Sequence, residues 1–117
     1  MKETVRLSVT IIGHNEMVHL QELLPTLIWA DEVIYVDCDS SDESYLLAKE
    51  AGCRVFHRSN NPNLNVNKAF AIDNASGEWI FYLDPDERIP ASLAAEIREK
   101  ISRPGSVAAF SLKRKNH

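Results

Sequence analysis

Cysteines and long apolar runs are scarce in this sequence, and each scarcity excludes a class of protein. The two cysteines, Cys38 and Cys53, have neither metal-ligand spacing nor the arrangement of a disulfide framework. We therefore expect reduced, buried thiols in a cytosolic protein. No stretch approaches the roughly 18 apolar residues of a membrane span, and the N-terminus has no signal-peptide pattern. We expect a chain that neither crosses a membrane nor is exported.

Positive charge is also in short supply. The 13 Lys and Arg residues are outnumbered by 17 Asp and Glu, so the net charge is −4. Because non-specific binding to nucleic acid depends on neutralising phosphates with Lys and Arg, we expect no nucleic-acid partner. Neither Gly-x-x-x-x-Gly-Lys-Ser/Thr nor a Gly-x-Gly-x-x-Gly run after the first strand occurs. Their absence excludes the P-loop and dinucleotide-binding folds.

The composition is otherwise that of one globular domain covering residues 1–117. Hydrophobic residues make up 44% and charged residues 26%, close to the globular average. Short β-rich runs alternate with helix-like stretches, which predicts a three-layer α/β/α fold with a mostly parallel sheet. The predicted strands are Leu7–Gly13, 33–36, 53–57, 78–83 and 107–112, and the predicted helices are 18–29, 68–75, 90–101 and one that follows a Ser40–Glu43 capping box and ends before Gly52.

Polar clusters follow three of these predicted strands. They comprise residues 14–16 (His-Asn-Glu), residues 37–42 (Asp-Cys-Asp-Ser-Ser-Asp) and residues 84–87 (Asp-Pro-Asp-Glu). In open α/β sheets, ligands bind outside the carboxyl ends of the strands. We therefore expect all three clusters to meet at one edge of the sheet and to form one site.

The third cluster has the chemistry of a metal site. Asp84 and Asp86 lie two residues apart after a strongly apolar strand, and like charges so close repel unless a counter-ion is present. A divalent ion of the Mn²⁺ or Mg²⁺ type, which takes carboxylate and phosphate oxygens together, would offset that repulsion. The alternative, which this motif taken alone favours, is a solvated turn in which Asp86 or Glu87 caps the next helix.

The second cluster suits a nucleoside. Acidic side chains at a strand end can accept hydrogen bonds from ribose hydroxyls or from the N–H edge of uracil. The alternative is helix capping by residues 40–42, which leaves Asp37 and Asp39 unexplained. Metal, ribose and base contacts together describe a nucleoside diphosphate site, in which the phosphates would depend on the metal and on Lys68.

Three ordered segments resemble a known family. VTIIGHNE, ADEVIYVDCDSSDES and NKAFAIDNASGEWIFYLDPDER, in this order, resemble family 2 glycosyltransferases of the GT-A fold, most closely the bacterial lipopolysaccharide-core glucosyltransferase-like branch. The resemblance implies a Rossmann-like nucleotide-diphospho-sugar transferase fold and inverting, metal-dependent transfer from a nucleotide-activated sugar. A UDP-sugar donor, a saccharide or lipid-linked acceptor and a role in cell-envelope polysaccharide synthesis are the corresponding expectations.

The resemblance also implies roles for individual residues. Asp86 is similar in position to the family's metal ligand, and Asp84 to the residue that contacts the ribose or reaches the metal through water. The chain has Asp-Cys-Asp where many relatives have two adjacent aspartates, so either aspartate can face the nucleoside. The implied nucleotide-sugar-binding residues are Asn15, Glu16, Asp37, Asp39, Lys68 and Asp84, and the implied metal ligands are Asp86 and Asp84.

No catalytic residue is identified. The family's catalytic domain usually continues for about as many residues again, so we expect this chain to be truncated, without the acceptor half and without the general base. Glu87 is the nearest candidate for a base but suits the metal site or the helix start better. His14 and His57 are isolated histidines, each more typical of a satisfied strand-end side chain.

Three further expectations stay open. The alternative function is a non-catalytic nucleotide-binding or interaction module that retains the fold, whereas a nucleotidyltransferase is disfavoured because GHNEMVH is not a Gly-rich triphosphate loop. Residues 113–115 (Lys-Arg-Lys) could favour peripheral association with an anionic membrane surface, but truncation of the chain explains these three charges better. We therefore expect a cytoplasmic protein, at the inner face of the membrane if it is associated with one.

Overall fold

A computed structural model of the chain describes residues 7–102 and 112–114. Its strands are β1 (Leu7–Gly13), β2 (Glu32–Cys38), β3 (Arg54–Arg58), β4 (Trp79–Tyr82) and β5 (Leu112–Arg114), and its helices are α1 (Met17–Leu23), α2 (Ser44–Glu50), α3 (Leu64–Asn74) and α4 (Ala91–Ser102). Strands and helices alternate along the chain, as the sequence predicts. No helix in the described ranges has the length and apolar character needed to cross a membrane.

The strands form one mixed sheet in the order β3-β2-β1-β4-β5. The first four strands are parallel, and β5 is antiparallel to β4. The predicted mostly parallel sheet is therefore confirmed. β1 lies at its centre and is buried almost throughout, which is why its sequence, LSVTIIG, is nearly continuously apolar.

Helices cover both faces of the sheet, which completes the predicted three layers. One core joins the odd-numbered residues of β1 to residues from α1, α2 and α4, including Leu20, Ala48 and Ile97. A second core joins Ile34 and Ile80 on the other face to α3. Because the carboxyl ends of the four parallel strands point the same way, the loops that follow β1, β2 and β4 all emerge at one edge.

Two predicted helices have different bounds in the structure. The expected helix 18–29 ends at Leu23 and continues as a 3₁₀ turn, Leu24–Thr26, because Pro25 has no N–H for an α-helical hydrogen bond. In contrast, α3 begins four residues before the expected start. There the Asn63 side chain accepts a hydrogen bond from the Asn65 N–H and caps the helix.

The predicted capping box of Ser40 and Glu43 is wrong. α2 begins only at Ser44, and Glu43 at its N-cap makes no side-chain capping bond. Ser40 instead donates its hydroxyl to Asp37, three residues back along the chain. Gly52, at φ +93°, follows the end of α2 as predicted, since a left-handed residue there favours glycine.

The fifth strand is described only in part. The sequence predicts residues 107–112, and the structure places a strand at Leu112–Arg114. Residues 107–111 and the predicted turn at residues 104–105 lie outside the described residues.

Candidate functional site

A polar cavity of about 450 Å³ opens at the carboxyl ends of β1, β2 and β4. It is lined by residues at the ends of all three strands, at the start of α1, and in α3 and the loop that precedes it. The lining residues are Ile12, Gly13, His14, Glu16, His19, Cys38, Asn60, Asn61, Leu64, Asn67, Tyr82, Asp84, Pro85 and Asp86. Three of the sequence-predicted site residues, Glu16, Asp84 and Asp86, therefore share one cavity.

Residues 84–87, which we name the β4 turn, hold two exposed aspartates at the cavity. The Asp84 N–H donates to Glu87 Oε1 at 2.7 Å, and the Glu87 N–H donates to the Asp84 carbonyl at 3.0 Å. The Tyr82 hydroxyl donates to Asp84 Oδ1 at 2.8 Å. Asp86 accepts no hydrogen bond from the described residues. The turn thus orders Asp84 and leaves Asp86 accessible.

Arg88 anchors the β4 turn to α1. Its guanidinium donates to the Pro85 carbonyl at 2.9 Å and to Glu22 Oε1 on α1 at 3.0 Å. The alternative role predicted for Asp86 and Glu87, capping of the next helix, is not seen within the part of the chain that the structure describes. α4 begins at Ala91, and the Glu87 side chain accepts its hydrogen bond from the Asp84 N–H. The carboxylates of the β4 turn therefore do not cap α4.

The donor set fits a divalent cation shared with a ligand. Within residues 7–102 and 112–114, no group of three His, Cys, Asp or Glu side chains is placed to hold a metal ion. Mg²⁺, however, is usually bound by one or two carboxylates together with phosphate oxygens and water. Asp84 and Asp86, both exposed on one cavity wall, fit that partial coordination.

Asp37 is a buried structural carboxylate beside the cavity. It is 2% exposed and accepts three hydrogen bonds, from the Tyr35 hydroxyl at 3.0 Å, the Ser40 hydroxyl at 2.7 Å and the Ser40 N–H at 3.1 Å. Burial and the Asp37 charge raise the pKa of Tyr35, so its hydroxyl remains a donor. The neighbouring strand β1 needs a glycine at this point, because a Cβ on Gly13 would lie 2.8 Å from the Tyr35 hydroxyl.

Asp39 is the exposed aspartate of the same loop. Its side chain is 51% exposed, and Oδ1 lies 2.8 Å from His57 Nε2. The Asn60 N–H approaches its other oxygen at 3.4 Å. Its backbone has φ 54°, a left-handed conformation that Asp tolerates better than most residues. Asp39 therefore lies next to the cavity residue Asn60 but does not itself line the cavity.

Asn15 joins the loop after β1 to residues 37–44, which we name the β2 loop. Its Oδ1 accepts hydrogen bonds from the Ser41 N–H at 2.7 Å and the Asp42 N–H at 3.2 Å. Its own N–H donates to the Ser40 hydroxyl at 2.8 Å. The Asn15 side chain thus joins the two loops by hydrogen bonds, and it does not line the cavity.

The β2 loop also caps α1. The Glu16 N–H donates to the Ser44 hydroxyl at 3.1 Å, and the Met17 N–H donates to Asp42 Oδ2 at 3.3 Å. Burial alone raises the pKa of Asp42, but hydrogen bonds from Ser44 and Met17 outweigh it and lower the pKa. Capping from a different segment fixes the start of α1, which brings Glu16 to the cavity.

Lys68 lies behind the cavity wall. It is half-buried on α3, with its Nζ 4.2 Å from the centroid of the Tyr82 ring. This is a cation–π contact. The ammonium group therefore packs against Tyr82, which lines the cavity and contacts Asp84, while Lys68 itself does not line the cavity.

The two histidines discussed above have partners. His14 Nδ1 lies 2.6 Å from the Cys38 carbonyl, so this nitrogen carries the proton, and Nε2 can accept from the Asn15 amide at 3.3 Å. His57 pairs with Asp39. Both imidazoles are thus held at strand ends.

Several cavity residues were missed by the sequence analysis, notably Cys38, Asn60, Asn67 and Tyr82. Strand alternation could have found Cys38, because it shares a face with Ile34 and Val36 whereas Asp37 points to the opposite face. Asn67 donates to Cys38 Sγ at 3.3 Å and to the Ser59 carbonyl at 3.0 Å. No sequence signal links residues so far apart.

A second cavity is apolar. It has about 500 Å³ and lies between the 3₁₀ turn and α4, with Pro25, Trp29, Ile89 and Ala94 in its wall. Its charged residue, Arg98, already donates to Asp31 at 3.0 Å. The polar cavity is slightly smaller, but it carries the carboxylates and is therefore the candidate site.

The chain is similar to known proteins over most of its length. Residues 8–116 match the sequence model of Glycosyl transferase family 2. An uncharacterized glycosyltransferase of Rickettsia bellii is 32% identical over 97 residues, which cover 80% of this chain and 32% of that protein. A TPR repeat-containing protein of Synechococcus elongatus is 32% identical over 92 residues, 74% of this chain and 23% of the other. The chain thus spans about a quarter to a third of these relatives.

Solved structures have the same fold. S. aureus TarS (residues 1–349) superposes with a TM-score of 0.74 at 22% identity, over 83% of this chain and 32% of that one. The same protein in complex with UDP gives 0.65 at 24% identity, over 81% and 32%. Glucosyl-3-phosphoglycerate synthase of M. tuberculosis, in complex with Mn²⁺, UDP and glucosyl-3-phosphoglycerate, gives 0.60 at 17% identity, over 84% and 39%.

Proposed function

The chain belongs to glycosyl transferase family 2, and from that premise we propose that it binds a UDP-sugar in the polar cavity for metal-dependent, inverting transfer of the sugar. In this proposal residues 1–117 form the nucleotide-sugar-binding domain. The observation that carries it is the meeting of Glu16, Asp84 and Asp86 in one cavity at the carboxyl edge of the sheet. Ligands of open α/β folds bind at this edge.

The diphosphate and the metal belong at the β4 turn. Asp86 and Asp84 would hold Mn²⁺ or Mg²⁺ together with the diphosphate, and the UDP and Mn²⁺ complexes of structural neighbours support this choice. The bound cation would neutralise charge on the departing diphosphate. Lys68 lies close enough to the cavity wall to swing toward the phosphates, since its cation–π partner Tyr82 lines the cavity.

The nucleoside belongs at the β2 side of the cavity. Asp39 is the exposed carboxylate of the β2 loop and lies next to the cavity residue Asn60, while Asp37 already accepts three hydrogen bonds and is almost fully buried. We therefore assign the nucleoside contact to Asp39 and give Asp37 the role of supporting the loop. Asn15 supports the same loop through its bonds to Ser41 and Asp42, and Glu16 faces the nucleotide from α1.

The acceptor and setting follow from the resemblance of the three sequence segments to the lipopolysaccharide-core branch. We propose a saccharide or lipid-linked acceptor in cell-envelope polysaccharide synthesis. Two free cysteines support a cytoplasmic location. A lipid-linked acceptor would be reached at the inner face of the membrane.

Binding is tested by thermal unfolding with UDP in the presence of Mn²⁺ or of EDTA. At about 100 times Kd, the ligand adds roughly 2.7 kcal/mol of stability, which raises Tm by several degrees in a domain of this size. We expect that rise only with Mn²⁺. The same rise in EDTA would contradict a metal-dependent site.

A matched pair of variants locates the effect. Asp86→Asn and Glu96→Gln each remove one negative charge and keep the side-chain shape, but Glu96 lies on the exposed face of α4. Only Asp86→Asn should lose the Mn²⁺-dependent rise. Transfer is then measured with UDP-glucose, Mn²⁺ and a saccharide acceptor, and formation of a glycosylated product would exclude the non-catalytic module.

A further inference from the structure

Tyr82 contacts two of the proposed ligand-binding residues at once. Its hydroxyl donates to Asp84 Oδ1 at 2.8 Å, and its ring lies 4.2 Å from the Nζ of Lys68. The two contacts use different parts of one side chain, the phenolic oxygen and the ring. Tyr82 also ends β4 and lines the polar cavity.

The sheet holds this phenol as a fixed donor. Tyr82 is half-buried, and its backbone lies in the ladder beside Thr10 of β1. The hydroxyl is the donor of this pair, because an ionised carboxylate can only accept. Asp84 is exposed, and an exposed carboxylate without such a donor would exchange between rotamers.

We propose that Tyr82 is a positioning residue that sets the Asp84 carboxylate for cation and diphosphate binding and keeps the Lys68 ammonium beside the same cavity. The proposal rests on the function proposed above. With one Asp84 oxygen bound by Tyr82, the second accepts no hydrogen bond from the described residues and is left for the cation. Ordering the carboxylate before the ligand arrives lowers the entropy lost on binding.

The hydroxyl is tested by Tyr82→Phe in the full chain. The variant keeps the ring, and with it the contact to Lys68, but loses the donor to Asp84. We expect Mn²⁺-dependent UDP binding, measured by calorimetry, to weaken roughly 3- to 10-fold, which corresponds to the loss of one ordinary hydrogen bond. Tyr45→Phe is the matched control, because this exposed tyrosine on α2 does not line the cavity, and its affinity should equal that of the wild type.

A double-mutant cycle separates positioning from packing. In an Asp84→Ala background, Tyr82→Phe should have no further effect on UDP affinity, since the hydroxyl then has no carboxylate to orient. An equal loss in both backgrounds would overturn the proposal and assign Tyr82 a packing role. So would wild-type affinity in Tyr82→Phe.

The ring is tested separately. Tyr82→Leu should weaken binding more than Tyr82→Phe, and this extra loss should vanish in a Lys68→Met background. An extra loss that persists without Lys68 would overturn the second half of the proposal. If the wild type itself binds no UDP with Mn²⁺, the proposed function fails, and this outcome is distinct from a Tyr82 variant that binds as well as a competent wild type.

Discussion

The two acidic segments at the sheet edge have similar composition and opposite surroundings. In the β2 loop, Asp37 accepts hydrogen bonds from Tyr35 and Ser40, and Asp42 accepts them from Met17 and Ser44. In the β4 turn, Asp86 accepts none from the described residues, and Asp84 accepts one from Tyr82. A carboxylate whose lone pairs are used by the protein stabilises the fold, whereas an exposed one without partners is available to a cation.

This difference assigns opposite consequences to the loss of a carboxylate. In the β2 loop, removal of the Asp37 carboxylate leaves donors inside the protein without their acceptor, and that desolvation cost falls on folding. In the β4 turn, removal of the Asp86 carboxylate relieves repulsion between neighbouring negative charges and costs only ligand binding. Stability and binding should therefore separate between the two segments.

The largest effect on stability is expected for Asp37→Ala. The change removes the carboxylate that accepts hydrogen bonds from the buried Tyr35 hydroxyl and from Ser40. The free energy of unfolding, measured by urea denaturation, should therefore fall by about 2–4 kcal/mol. Asp86→Ala, which breaks no hydrogen bond with the described residues, should change it by less than about 0.5 kcal/mol. Equal losses in the two variants would break the comparison.

A smaller loss is expected for Asn15→Ala. The change removes the acceptor for the Ser41 and Asp42 amides and puts alanine at φ 55°, where a Cβ is unfavourable. Urea denaturation should show a loss of about 1–2 kcal/mol. Asn15→Gly keeps the left-handed backbone and loses only the acceptor, so it should recover part of the stability. A glycine variant less stable than the alanine variant would contradict this account.

The smallest effect depends on pH. The pKa of Asp42 is lowered from 3.8 in the folded chain, so its ionised form favours folding above the unfolded pKa. That contribution is lost as the pH falls below 3.8 through the folded pKa. The stability difference between the wild type and Asp42→Asn should therefore narrow from pH 6 to about pH 3 in urea denaturation. A difference independent of pH would mean that the Asp42 charge has no part in capping α1.

Local pattern in the sequence determined the order of strands and helices in this protein. The bounds of β1 agree with its apolar run, because a central parallel strand is buried on both faces and leaves a continuous signal. The parallel topology then follows from alternation, and it brings Glu16, Asp84 and Asp86 to one edge. Two predictions from local pattern were wrong, the start of α3 and the capping box of α2. Asn and Ser side chains can hydrogen-bond to several nearby groups, and the sequence does not specify which.

The partners of each carboxylate were decided only by the tertiary structure. Asp37, Asp39 and Asp86 look alike in the sequence, yet the first is buried under Tyr35, the second faces His57 and the third is exposed. Asn15 meets Ser41 across 26 residues, because two parallel strands end side by side. A hydrogen bond depends on distance and angle in space, and local pattern carries neither for residues so far apart.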